Sequence, residues 1–378
     1  MTRRIASHYA LINGALKRNM VIEVDDRGVI TDILETSALD AMASVEFYPG
    51  ILIPGMVNAH CHLELSYLHN KIEEGTGFAG FARAIGAVRN NFTDEERIHA
   101  AEVADARMWN EGVEVVADIA NDSLVMGVKE RSKIEYHTMF EHFGLNNLST
   151  TSLRDIASQH HNATVTPHST YSVQDAPFRE LCGGEGLLSL HLLESDDETL
   201  LYKKSGSLWQ WYERMGWECD FLHYGTPAQR VAESIPENRA LLLVHGTRAE
   251  EQDVRVVAQR TERATWVLCP ESNRYISRTT PPVEMFRRLG AKIAVGTDSL
   301  TSARDLSMIE NLRQLNGLCD APLAELLTWA TYNGAMALGV ESNKGSIERG
   351  KAPGLVVVEG ADLHDLRLLP ETTTRRIV

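Results

Sequence analysis

Ile51-Leu52-Ile53-Pro54-Gly55-Met56-Val57-Asn58-Ala59-His60-Cys61-His62 is an apolar run that ends in two histidines separated by one residue. On extended backbone, residues two apart point to the same side, so both imidazoles face one point while Cys61 faces away into packing. This is chelate spacing for a metal ion. An H-x-H pair alone is more often a packing or surface pair, so other parts of the chain must supply further ligands.

The same grammar repeats downstream. Short apolar runs bounded by turn residues alternate with longer segments of helical period, which is the sequence form of β-α units. Strands are expected at 51–53 leading into His60, then at 113–119, 135–140, 163–167, 187–192, 241–244, 265–268 and 292–295. Thr93-Asp94-Glu95-Glu96 reads as a capping box ahead of the apolar positions Ile98, Val103 and Met108, and 249–263 has a charged face and an apolar stripe. Eight alternations predict an α/β fold that closes as a (β/α)8 TIM barrel over residues 51–344. Residues 1–50 and 345–378 carry short β-like runs at 21–24, 29–34 and 355–358, separated by turn signals such as Asp26-Arg27-Gly28, and are expected to form one small β-module from both termini.

Three further apolar runs end in metal-compatible groups: Leu187-Leu188-Ser189-Leu190-His191, Leu241-Leu242-Leu243-Val244-His245 and Ile293-Ala294-Val295-Gly296-Thr297-Asp298. A barrel assembles its site from the C-terminal ends of different strands, which is where these groups fall. One such residue is equally well read as a turn cap. Four strand ends with matching chemistry point to a shared site.

Composition narrows the classes. The 378 residues hold 37 Lys+Arg against 52 Asp+Glu, a net charge of -15, so a nucleic acid would meet a repulsive field. The start, Met1-Thr2-Arg3-Arg4, is basic but lacks the apolar stretch of a secretory signal, and no segment reaches the length of a membrane span; a cytoplasmic protein is expected. Five cysteines, at 61, 182, 219, 269 and 319, include no C-x-x-C pair, which argues against disulfides and cysteine-held zinc. Cys269-Pro270-Glu271-Ser272-Asn273 has one cysteine where the smaller zinc-deaminase fold needs P-C-x-x-C.

Residues 54–62 with Leu63-Glu64, His191-Leu192-Leu193-Glu194, His245, and Gly296-Thr297-Asp298-Ser299 together resemble the amidohydrolase superfamily, in its adenosine, methylthioadenosine and guanine deaminase-like branch. The resemblance covers nearly the whole chain. It implies that the metal ligands are His60, His62, His191 and Asp298, and that the terminal module is a composite β-sandwich. Binuclear members bridge two metals through a strand-four lysine, whereas this chain reads Ala163-Thr164-Val165-Thr166-Pro167-His168; the resemblance therefore implies one metal.

Three neutral imidazoles and a carboxylate suit a divalent ion, Zn2+ first and Fe2+ second, with a position left for water. Coordination lowers the pKa of water from about 15.7 to about 7, so a nucleophile is available near neutrality. Glu194, three residues beyond His191, is expected to take the water proton and pass it to a ring nitrogen. His245 would orient the nucleophile, and Asp298 would take the remaining proton and hand it to the departing amine. Glu194 also has a bland reading, as the start of the acidic helix N-terminus Glu194-Ser195-Asp196-Asp197-Glu198. His168 resembles the strand-four histidine that contacts substrate in the family. His137, His142, His160, His161 and His223 match no ligand position and are expected in packing or on the surface.

His62-Leu63-Glu64-Leu65-Ser66, followed by Glu74-Gly75-Thr76-Gly77-Phe78, resembles the H-x-H-[LF]-E-[FL]-S form of aminodeoxyfutalosine deaminases more than the methionine-containing form of methylthioadenosine deaminases. Arg274, after Ser272-Asn273, is expected to meet a carboxylate such as the benzoate of aminodeoxyfutalosine, an adenine nucleoside of the menaquinone route; a surface salt bridge is the equal alternative. The expected substrate side is thus Glu64, Ser66, His168, Arg274 and Ser299. The expected reaction converts an adenine nucleoside to its inosine type. Methylthioadenosine or S-adenosylhomocysteine deamination, guanine deamination and triazine dechlorination are the rivals within that chemistry. A catalytically silent barrel scaffold is the rival outside it, and such a scaffold has no physical need to keep ligands and Glu194 together. The expected partner is a small molecule, and a homodimer is the base-rate assembly.

Overall fold

The apolar run that begins at Ile51 divides at Gly55 in the computed structural model, which describes residues 2–38 and 44–378. Ile51–Pro54 pairs parallel with Tyr9–Ile12 and antiparallel with Leu355–Glu359, so it belongs to the terminal sheets. The strand that delivers the histidines is β1, Met56–Cys61. This corrects the expectation of a barrel strand at 51–53. Two consecutive strands that are both fully buried show no change of periodicity between them. Gly55 is the joint: a Cβ there would lie 2.1 Å from Glu114 Cγ and 2.6 Å from the Pro353 carbonyl oxygen.

The remaining barrel strands are β2 (Val113–Ala120), β3 (Glu135–His142), β4 (Ala163–Pro167), β5 (Leu188–Leu192), β6 (Leu241–His245), β7 (Ala264–Leu268) and β8 (Lys292–Val295). β1 to β4 form one parallel sheet and β5 to β8 another. Isolated parallel bridges join them at Ser169 to His191 and at Cys61 to Asp298, which completes the ring of a (β/α)8 barrel. At the β4–β5 seam a side chain substitutes for backbone: the Thr166 hydroxyl accepts from the Ser189 N–H at 3.0 Å and donates to the Ser189 carbonyl. At the β8–β1 seam the N–H groups of Thr297 and Asp298 both donate to the His60 carbonyl at 3.0 Å.

Strand alternation sorts the core as a barrel requires. Val57, Ala59, Val115, Ala117, Leu242, Val244 and Ala294 form one buried cluster, while Leu188, Leu190, Leu241, Leu243 and Ile293 join a second that includes the helix residues Val254, Val257 and Leu312. The helix Asp94–Glu111 starts at the expected capping box, Thr93 and Glu96 each bonding the other's backbone N–H, and stops at Gly112 in a left-handed conformation. The 249–263 segment forms the shorter helix Glu251–Arg260.

The termini build two sheets. One contains Ile30–Glu35, Met20–Val24, Arg3–Ala6 and Glu46–Phe47; the other contains Thr373–Arg376, Leu355–Glu359, Ile51–Pro54, Tyr9–Ile12 and Ala15–Lys17. Ile5, Ile22, Val24 and Ile30 of the first share a buried cluster with Ala10, Ile12, Leu52 and Leu355 of the second, which makes the pair a sandwich. Residues 1 and 39–43 of the expected terminal module lie outside the described residues. No helix among the described residues is long and apolar enough to cross a membrane.

A buried arginine fixes the loop after β4. The Arg230 guanidinium lies between the rings of Phe178 and Phe221, 4.1 Å from each centroid, and donates to the Thr170 and Val173 carbonyls at 2.6 and 2.9 Å. An apolar side chain of similar length would leave the Val173 carbonyl buried without its side-chain donor and the Thr170 carbonyl with the Tyr202 hydroxyl alone, at 3.0 Å. Arg230→Met is expected to destabilise the protein by about 2–4 kcal/mol, read as a lower urea midpoint; an unchanged midpoint would show that the loop holds without it.

Candidate active site

Four residues from three distant parts of the chain converge at the C-terminal ends of the barrel strands. β1 and the residue after it supply His60 and His62, β5 supplies His191, and the segment after β8 supplies Asp298. His62 Nε2 and His191 Nε2 are 3.3 Å apart. Asp298 Oδ1 lies 3.7 Å from His60 Nε2 and 3.6 Å from His62 Nε2. All four side chains are buried, and both ring nitrogens of His60 lack any hydrogen-bond partner. A buried imidazole without partners is costly unless something binds it, and a cation would meet that need. Burial, reinforced by neighbouring imidazoles, pushes His62 below its ordinary pKa and His191 well below, so their lone pairs are free at neutral pH. Burial works to raise Asp298, but His60, His62 and His245 outweigh it and hold the carboxylate well below its usual range. The set therefore fits one divalent ion.

A second layer of contacts orients these groups. His191 Nδ1 donates to the His168 carbonyl at 3.0 Å, which leaves Nε2 as the lone-pair nitrogen. Asp298 Oδ2 accepts from the Ser272 and Ser302 hydroxyls at 2.5 and 2.9 Å, so Oδ1 is the oxygen turned to the histidines. Asn273 Nδ2 donates to His245 Nδ1 at 3.1 Å, and the ring proton then sits on Nε2, 3.8 Å from Glu194 Oε1. Leu193, His245 and Asp298 are in left-handed backbone conformations, at φ of 54°, 75° and 60°. Non-glycine residues there carry strain of order 1 kcal/mol or more each, and such strain concentrates where a side chain must be aimed.

A cavity of about 750 Å³ opens onto this centre. His62, His191, Glu194, His245, Asp298 and Ser299 line it together with His168, Asn121 and Glu141, and an aromatic wall of Phe78, Phe81, Phe143, Trp211, Tyr212 and Trp217 completes it. Burial raises Glu194 well above the ordinary carboxyl range, with the Asp298 and Glu198 charges adding to it. His168 presents Nδ1 to the Ser169 and Ser172 hydroxyls at 3.1 and 2.9 Å.

Three expected substrate-side residues are placed elsewhere. Arg274 is exposed and off the cavity, because the helix Pro270–Ser277 buries Glu271, Ser272, Asn273, Tyr275 and Ile276 and leaves position 274 on its outer face. Glu64 and Ser66 are buried in the turn Leu63–Leu68 and do not line the cavity. Glu64 accepts instead from the Asn121 N–H at 2.9 Å, and burial pushes it up to about 8. Conversely, Asn121 and Glu141 went unread in the sequence, although both stand at strand ends by the same rule that picks out His191. Glu141 Oε1 accepts from Asn121 Nδ2 at 2.6 Å, and its Oε2 is buried with no partner. His137, His160 and His223 bond to Glu135, Glu130 and the Asp220 carbonyl, away from the centre.

The amidohydrolase family model matches residues 51–375. An adenosine deaminase of Helicobacter pylori is 27% identical over 363 residues, covering 88% of this chain and 87% of that protein. A 5-methylthioadenosine/S-adenosylhomocysteine deaminase of Teredinibacter turnerae is 25% identical over 356 residues, covering 85% and 74%. The crystal structure of Helicobacter pylori aminofutalosine deaminase in complex with methylthio-coformycin aligns with a TM-score of 0.83 over 100% of both chains at 22% identity.

Glu198 braces the loop that carries Glu194. Its Oε1 accepts from the Thr170 hydroxyl at 2.5 Å and its Oε2 from the Glu194 N–H at 3.3 Å. Burial raises it from 4.5 to about 7, against those hydrogen bonds, which lower it. The folded protein thus keeps a proton that the unfolded chain sheds. That contribution to stability is complete below pH 4.5 and is lost as pH rises through about 7. Urea midpoints of wild type and Glu198→Gln are expected to diverge across this window, wild type losing stability relative to the variant as pH rises; parallel profiles would exclude it.

Proposed function

The chain belongs to the amidohydrolase family, and from that premise we propose that it is a metal-dependent hydrolytic deaminase of an adenine nucleoside, with 6-amino-6-deoxyfutalosine as the first substrate. One observation carries the reading: a buried three-imidazole, one-carboxylate cluster stands beside a second, proton-holding carboxyl group on the wall of a nucleoside-sized cavity.

His60, His62, His191 and Asp298 would hold one divalent ion, Zn2+ first on the character of the donors, which when bound supplies a water ionised near neutral pH. Glu194, kept protonated by burial, donates from its carboxyl oxygen to a ring nitrogen of the substrate and makes the adjacent carbon electrophilic. The attacking water restores that proton. His245 Nε2–H, fixed by Asn273, points toward Glu194 and holds the incoming oxygen in place. Asp298 Oδ1 accepts the second water proton, which departs with the amine as ammonia. His168 and Ser299 are the polar contacts for the bound nucleoside.

The choice of adenine follows the two curated deaminases, whose names specify adenine nucleosides. Aminodeoxyfutalosine as first substrate is supported by the His62-Leu63-Glu64-Leu65-Ser66 form and by the fold shared with the Helicobacter aminofutalosine enzyme; it would place the reaction on the menaquinone route, in the cytoplasm. Methylthioadenosine or S-adenosylhomocysteine is the second reading, favoured by the Teredinibacter relative.

Ammonia release from metal-loaded protein is expected to be fastest, by kcat/KM, with aminodeoxyfutalosine among adenosine, methylthioadenosine, S-adenosylhomocysteine and guanine. Release from none of the adenine compounds would overturn the reading. Glu194→Gln is expected to keep its metal, by elemental analysis, while turnover falls roughly a hundredfold or more; a near-normal rate would remove Glu194 from the mechanism.

A further inference from the structure

We infer that Arg89 is the receptor for an oxyanion on the apolar end of the substrate, a carboxylate carried on an aromatic or aliphatic stem. Arg89 is the one lysine or arginine among the described residues that line the cavity, where the carboxylates are Glu141, Glu194 and Asp298. It follows the helix Gly77–Val88, whose Phe78, Phe81, Ala82 and Ile85 also line the cavity. Steps of three and four residues put these side chains on one stripe, and position 89 continues that stripe one turn on. The backbone there is tied down: Arg89 N–H bonds the Ile85 carbonyl at 2.9 Å, and the Tyr67 hydroxyl donates to the Arg89 carbonyl at 3.2 Å.

The guanidinium is half-buried and makes no hydrogen bond or ion pair with the described residues. Two other partly buried arginines are paired, Arg97 with Asp122 at 2.8 Å and Arg287 with Glu325 at 2.9 Å, whereas Arg239, like Arg89, has no such pair among the described residues but lies off the cavity. In a chain of net charge -15, acidic partners are plentiful, yet none of the described carboxylates forms an ion pair with Arg89. The helix C-terminus favours a cation at this point but leaves its five N–H donors unused. A planar carboxylate matches that fork with two parallel hydrogen bonds, and the aromatic wall beside it accepts the stem. A neutral end would leave the guanidinium unsatisfied against an apolar surface. Arg274, exposed on its helix, does not reach this cavity.

The inference rests on the deaminase reading for the reacting end of the substrate, and the experiment separates the two. Aminodeoxyfutalosine, which ends in an aryl carboxylate, is compared with its carboxamide as substrate. Arg89→Met is expected to raise KM for the carboxylate roughly ten- to hundredfold with kcat little changed, and to leave the carboxamide kinetics as they were. Arg89→Lys should fall between, and Arg274→Met should match wild type. Calorimetric binding of the deaminated carboxylate nucleoside should show the same loss without any turnover. Equal kcat/KM for carboxylate and carboxamide in wild type, or equal affinity of wild type and Arg89→Met for the carboxylate ligand, would overturn the role of Arg89. An Arg89-dependent affinity in a protein that releases no ammonia would instead uphold Arg89 and remove the deaminase.

Discussion

The barrel closes through the residues that form its centre. One seam is bridged at His191 and the other at Asp298, and the second runs through the backbone of His60 as well. The distances among His60, His62, His191 and Asp298 are therefore set by the same backbone hydrogen bonds that join the two half-barrels. Loosening either seam would move one of these four side chains away from the others, since His191 is bonded across one seam and His60 and Asp298 across the other. Stability of the ring and geometry of the site are one constraint.

That constraint concentrates ionisable groups where water is scarce, and the fold manages them by neutralisation and pairing. Burial favours the uncharged form of His62, His191 and His245, which limits the positive charge gathered in this crowded centre. The same burial keeps Glu194 protonated next to the ionised Asp298. Two carboxyl groups in one pocket are driven to opposite protonation states, one stripped by its histidines and one filled by desolvation, which is the arrangement acid–base chemistry needs. Ser272, Ser302, Asn273 and the His168 carbonyl then fix which atom of each group faces inward.

Beyond the strand ends the cavity changes character. The reacting end is acidic and imidazole-rich, while the helix Gly77–Val88 and the residues around Trp211 and Trp217 add an aromatic wall. The barrel frame is shared by enzymes of several chemistries, so selectivity has to come from these additions. Arg230 and Glu198 hold the loops after β4 and β5 to each other through Thr170, and thereby keep His168 and Glu194 in register across the seam.

Much of this was legible in the chain itself, because it depends on local period. The two-residue spacing of His60 and His62 puts both rings on one side wherever the segment is extended, and the capping box at Thr93 starts a helix by contacts within four residues. Polar residues at the ends of apolar runs mark one rim once the runs are known to be parallel. Tertiary structure alone decided the rest. The apolar run from Ile51 reads as one strand leading into His60, whereas pairing of Ile51–Pro54 with the terminal strands and of Met56–Cys61 with the barrel divides it at Gly55, where Glu114 and Pro353 stand close. Arg274 and Asn273 are neighbours in sequence, yet about 100° of helical rotation turns one to solvent and the other to His245. Asn121 and Glu141 stand at strand ends and Arg89 on a helical stripe, but that the three share one cavity depends on how those elements pack. Short-range geometry is written in residue spacing; which distant groups share a volume is set by how the whole chain packs.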